Sequence, residues 1–178
     1  MKKNDKKLKY MTEGNITKLT IILSVTFYLS SLTQTAYCTY DCKSSLTVFL
    51  VGLLGILTEI GSIVSSIMDK INGQTNTMNI NIGATFTWLA NPIIVFSLII
   101  FRHSKRTALI LSTISSALIL LFLVFDRVVD DVAGHYSKVT NIKLGYWLWL
   151  FSSLIIMIGS LIITKRKKVD NENKTQSK

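Results

Sequence analysis

The chain is short of the residues that most chemistry requires. It has one proline, two cysteines and ten acidic residues among 178. The single proline confines any helix break of that kind to one place, Pro92. The two cysteines stand as Cys38-x-x-x-Cys42, and three intervening residues do not match the C-x-x-C redox pattern. No phosphate-cradling glycine loop, no Gly-x-Ser-x-Gly elbow and no His-Glu-x-x-His helix occurs, so enzymatic function has no positive support and no cofactor is expected. No internal repeat is evident, which counts against the inverted-repeat plan of transporters.

What the chain does have is long apolar runs. About half its residues, 49%, are hydrophobic, and they are gathered into blocks rather than scattered. A spanning helix needs roughly 20 mostly apolar residues to cross about 30 Å of hydrocarbon. Five segments approach that length: Leu19 to Tyr37, Leu46 to Met68, Ala84 to Phe101, Ala108 to Phe125 and Leu144 to Thr164. Lipid leaves no water for unpaired backbone groups, and no alternation of the barrel kind is present, so these segments are expected as helices. The expected fold is an all-α, polytopic transmembrane helix bundle. It has five hydrophobic helices (about 19–37, 46–68, 84–101, 107–133 and 144–164) and four or five complete spans. A basic segment, 1–18, precedes this single domain and a basic polar tail, 165–178, follows it.

Twenty Lys and Arg against ten acids give a net charge of +10. The cations flank the apolar blocks, as Lys2-Lys3, Lys6-Lys7, Arg102-His103-Ser104-Lys105-Arg106 and Lys165-Arg166-Lys167-Lys168. That is where orientation signals belong, and no nucleic-acid motif accompanies them, so nucleic acid is not an expected partner. Five alternating spans would divide the cations ten to each face and leave the positive-inside rule silent. If one of the first three segments fails to cross, about fifteen face five, and the N-terminus, the Arg102 cluster and the tail share one side. Leu46 to Met68 is the least comfortable in lipid, because Glu59, Gly61, Ser62, Ser65 and Ser66 crowd its second half. The basic start followed by an apolar run superficially suggests a secretory signal, but no small-x-small cleavage site closes it, and a retained helix is expected. Trp88, Tyr146, Trp147 and Trp149 fall near segment ends, where amphipathic rings anchor at headgroups.

The most informative constellation is on the second segment. Gly52, Gly55, Glu59, Ser62 and Ser66 recur at steps of three and four and so share a helix face. Small residues admit a second helix closely, and Gly61/Ser65 repeats that spacing beside them. Glu59 must be protonated, paired or wet, because an unpaired charge at membrane depth costs at least about 2.5 kcal/mol. Pro92 biases Asn91 away from helical dihedrals, so Asn91 is expected to cap a helix or bond across to a neighbour. Asp126, Asp130, Asp131 and His135 continue the fourth helix with helical spacing, with Gly134 as a stop. Arg127/Asp131 and Asp131/His135 are self-pairing rather than metal-binding. Cys38 and Cys42 are either a disulfide or two free thiols.

With Trp88-Leu89-Ala90-Asn91-Pro92 and Gly145-Tyr146-Trp147-Leu148-Trp149-Leu150-Phe151-Ser152-Ser153 in view, the last hundred residues or so resemble small bacterial multi-pass inner-membrane proteins of no assigned activity. In size and span count only, the chain is also similar to the multi-pass accessory proteins of RNA-targeting CRISPR systems. These resemblances imply location and gross fold and carry no catalytic residues across. The expected function is that of a non-enzymatic bacterial inner-membrane protein with a cytoplasmic C-terminus. It would act as an accessory or assembly component, packing on a second copy or a membrane-complex partner, with membrane lipid around it. The alternatives are a small channel or proton-coupled transporter using Glu59, and a defence, immunity or lysis accessory.

Overall fold

The computed structural model describes residues 13–72, 86–125, 127–129 and 136–176. They are mostly helical. The helices are α1 (Glu13–Leu32), α2 (Ser45–Ile71), α3 (Ala90–Ile100), α4 (Lys105–Leu121) and α5 (Leu144–Gln176). Five short strands join them: β1 (Thr35–Cys38), β2 (Cys42–Ser44), β3 (Arg127–Val129), β4 (Tyr136–Lys138) and β5 (Asn141–Ile142).

Among the described residues three helices are long and apolar enough to cross a membrane: Glu13–Leu32, Lys105–Val124 and Leu144–Lys167, of 20, 20 and 24 residues. This corrects the expectation of four or five, and the reasons are local. The third segment is helical at Phe86–Thr87, turns at Trp88–Leu89 and continues as α3, whose 11 residues rise roughly 16 Å, about half the hydrocarbon thickness. Pro92 sits in the first turn of α3, where a missing N–H costs nothing. In α2, a single helix of 27 residues, the described run Ser45–Leu54 is apolar.

The all-α expectation is corrected in detail as well. The first segment leaves helix at Leu32, and Thr35-Ala36-Tyr37-Cys38 pairs instead as a strand, in keeping with its β-branched and aromatic content. The fourth helix stops at Leu121 and a 3-10 turn, Phe122–Val124, rather than running to 133. Arg127 lies in β3, and Asp126, Asp130, Asp131, Gly134 and His135 lie outside the described residues. The last helix extends well past Thr164, to Gln176.

The strands gather at one end of the bundle. An antiparallel sheet runs β2-β1-β5, and a separate antiparallel pair joins β3 to β4. Thr140 Oγ1 donates to the Cys38 carbonyl at 2.9 Å, and Lys143 N to the Ala36 carbonyl at 2.9 Å. Tyr37 of β1, Phe122 and Tyr146 lie ring against tilted ring, with centroids 5.6 Å apart at each step. They tie the ends of α1, α4 and α5 together.

α5 is the axis. α1 and α4 pack on it, and α3 packs on α4. Alongside an apolar core that includes Ile94, Ile119, Ile156 and Ile163, these contacts use serine, which is small enough for close approach and offers a hydroxyl for a cross-helix bond. Ser153 donates to the Ser112 carbonyl at 3.1 Å, shares a hydrogen bond of 2.9 Å with Ser116, and meets Ser115 as well. Ser24 on α1 donates to the Ser152 carbonyl at 2.9 Å, and Ser97 on α3 to the Ala108 carbonyl at 3.1 Å. Ser24, Ser97, Ser112, Ser115, Ser152 and Ser153 are all fully buried. Gly159 completes the α1 contact, since a Cβ there would collide with Thr20.

Candidate functional site

The face singled out in the sequence begins at the root of α2. Ser44 caps this helix, accepting from Thr47 N at 3.1 Å. Ser45 N donates to the Gln34 carbonyl at 2.8 Å, so the root is held to the end of α1. Gly52 lies against Trp88, which packs where a Cβ would otherwise be. The indole Nε1 donates to the Phe49 carbonyl at 2.7 Å, and the Phe49 and Trp88 rings lie 5.6 Å apart. Gly52 therefore receives a side chain of its own chain rather than a partner helix. Gly55 and the side chains of Glu59, Ser62 and Ser66 lie outside the described residues.

Leu46 and Leu50 are exposed before Gly52, and the exposed apolar surface continues beyond it. Leu53, Leu54, Ile60, Val64, Ile67, Met68 and Ile71 are exposed. Gly61 and Ser65 are exposed too, and no atom comes within 4 Å of where a Gly61 Cβ would be. One end of α2 is anchored and the remainder presents apolar side chains around a small-residue pair.

Asn91 and Pro92 sit where α3 meets α1. Asn91 is buried, its Nδ2 donates to the Trp88 carbonyl at 3.1 Å, and its Oδ1 accepts from Tyr28 at 3.1 Å. The amide thus both closes the turn before α3 and crosses to α1. Near it a cavity of about 170 Å³ opens between the sheet and the roots of α2, α3 and α5, lined among others by Ser45, Phe49, Trp88, Asn91, Tyr146 and Trp149. Ser45 Oγ and Trp149 Nε1 are buried without a partner.

Cys38 and Cys42 are joined as a disulfide across the β1–β2 hairpin, where they face each other in register. A continuous helix would have held them apart; the strand break at Thr33–Gln34 brings them opposite.

No family model matches this chain, and no curated protein and no solved structure is significantly similar to it. Among the described residues no group of three or more His, Cys, Asp or Glu has the arrangement of a metal site.

The feature that sequence reasoning missed lies at the end opposite the sheet. Lys167 and Glu13 form an ion pair at 3.0 Å, joining the end of α5's apolar stretch to the start of α1. The turn between α3 and α4, Arg102 to Ser104, lies beside them, and the three elements surround an open cleft of about 1360 Å³. The runs of cations were visible in the sequence, but their convergence on one cleft needed the helix packing.

Proposed function

We propose that this protein is a non-enzymatic component of a bacterial inner membrane that acts by helix packing, offering the distal half of α2 to another chain in the same membrane. The observation that carries the reading is the exposed Gly61/Ser65 pair amid Leu54, Ile60, Val64 and Met68, on a helix whose root is fixed. Lipid alone would be served by large apolar side chains. Small residues four apart instead permit close approach of a second helix, and Glu59 on the same stretch favours a protein neighbour over hydrocarbon.

The topology we infer has α1, α4 and α5 crossing, with the start of α1, the α3–α4 turn and the charged end of α5 on one face. Its support is geometric. The Glu13–Lys167 pair holds the start of α1 near the charged end of α5, and the Arg102 turn lies at the same end. The chain must then cross an odd number of times between Leu32 and Lys105, and α3 ends at that basic face. The positive-inside rule makes this face cytoplasmic, and the disulfide at the other end suits an oxidising compartment.

Assembly is tested by extracting the full chain into lipid nanodiscs and measuring the mass of the particle's protein content. The wild type is expected as more than one chain, and Gly61→Leu as a single chain. A wild type that is already a single chain, with no second protein attached, would overturn the reading. Topology is tested by an impermeant thiol reagent on intact cells, which should label Lys138→Cys but not His103→Cys. The reverse pattern would refute the orientation.

A further inference from the structure

We propose that the cleft at the basic end of the bundle binds the headgroup of an anionic phospholipid, with the acyl chains lying along α1. Six cations line it: Lys18 from α1, Arg102 from the turn, Lys105 and Arg106 from α4, and Lys165 and Lys167 from α5. The one carboxylate among the lining residues is Glu13, and Lys167 already holds it at 3.0 Å. Lys105 is drawn inward, donating to the Phe101 carbonyl with its ammonium 4.2 Å from the centre of the Phe101 ring. A strong surplus of positive charge thus surrounds a concave space rather than being spread along a rim.

An orientation signal needs only charge beside an apolar run. Here the charges come from three separate elements and converge, which a ligand with a compact negative head would reward. The start of α4 adds to this, since Ser104, Lys105 and Arg106 at the positive end of a 17-residue helix line the cleft.

The lining of the cleft selects the source of the phosphate. That lining includes Ile21 and Ile22 of α1, within the stretch apolar enough to cross a membrane, and Ile22 is 62% exposed. Free phosphate or a nucleotide would engage the rim and leave this apolar wall uncovered. A phospholipid satisfies both, with phosphate among the cations and chains against the isoleucines. Basic pockets between helices at the cytoplasmic side take anionic lipid heads by this logic. The proposal rests on the membrane reading but not on assembly through α2.

The test uses the full chain in nanodiscs of phosphatidylcholine mixed with a minor share of phosphatidylglycerol or cardiolipin. Lipids that stay with the protein on gentle release are counted by native mass spectrometry. The wild type is expected to retain anionic lipid over phosphatidylcholine by roughly tenfold or more, given about 1 kcal/mol per Lys or Arg near the membrane surface. Arg102→Gln with Arg106→Gln should abolish that preference. Lys18→Gln, which leaves the α3–α4 turn intact, should lower it about fivefold. Lys43→Gln with Lys138→Gln removes equal charge at the opposite end and should change nothing. Gly61→Leu should keep the preference, so that failure of the assembly reading is distinguishable from failure of this one. Equal retention of both lipid classes, equal losses from the two double variants, or full displacement by millimolar inorganic phosphate would each overturn the proposal.

Discussion

Two stretches of this chain use glycine and serine to opposite ends. In the bundle around α5, the serines turn inward and are consumed: Ser153 engages α4, Ser24 reaches α5, Ser97 reaches α4, and Gly159 receives Thr20. In the distal half of α2, Gly61 and Ser65 are exposed, and no neighbour fills the space beside Gly61. The small-residue spacing is the same in kind. What differs is whether the chain itself supplies the second helix. Where it does, the contact is intramolecular; where it does not, the open space beside Gly61 leaves room for another chain.

The comparison breaks most severely at Ser153. Replacing it with Leu forces four carbons into a fully buried contact among Ser112, Ser115 and Ser116, and overpacking of that kind costs about 1–3 kcal/mol or more. Ser153→Leu is expected to lower the unfolding midpoint in a denaturant titration in detergent by the largest amount of any change named here. Breaking the disulfide should come next. The loop it closes is short, and the chain-entropy estimate for five residues is about 2 kcal/mol. Reduction should loosen the β1–β2 hairpin and the root of α2, read as faster amide exchange at Tyr37 and Lys43, while exchange at Ser153 stays slow.

Smaller changes sharpen the contrast. Ser153→Ala removes cross-helix hydrogen bonds without adding bulk, and such bonds average about 0.6 kcal/mol in membranes. A drop of that order, well below that of Ser153→Leu, is expected in the same titration. Gly61→Ala should shift it least, within about 0.5 kcal/mol, because the added methyl meets no neighbour. A large loss there would show that distal α2 packs on its own chain after all.

The apolar blocks made the long helices legible, because length and hydropathy are strong signals of helix in apolar runs of this kind. The convergence of the basic runs on one end was one of two arrangements that charge counting left open. Their ends were less legible. Thr35 to Cys38 reads as a continuation of an apolar segment, and only its partners, Ser44 and Ile142 among them, make it a strand. Strand pairing is non-local, so single-segment patterning cannot supply it. The serine contacts were hidden for a related reason: Ser112, Ser115, Ser116, Ser152 and Ser153 look like polar blemishes in apolar runs until α4 and α5 are placed together. Gly52 was identified as a packing position, but its occupant, Trp88, is 36 positions on and belongs to the turn before α3.

The difference between the two regions can be read in one experiment, by placing a photo-crosslinking residue at Val64 on distal α2 and, separately, at Ile156 inside the bundle, and irradiating native membranes. Val64 is 55% exposed and Ile156 is fully buried. The account predicts adducts to a second protein chain from Val64 and only intramolecular products from Ile156. Adducts from Val64 to lipid alone, under conditions where the protein is folded and inserted, would contradict it.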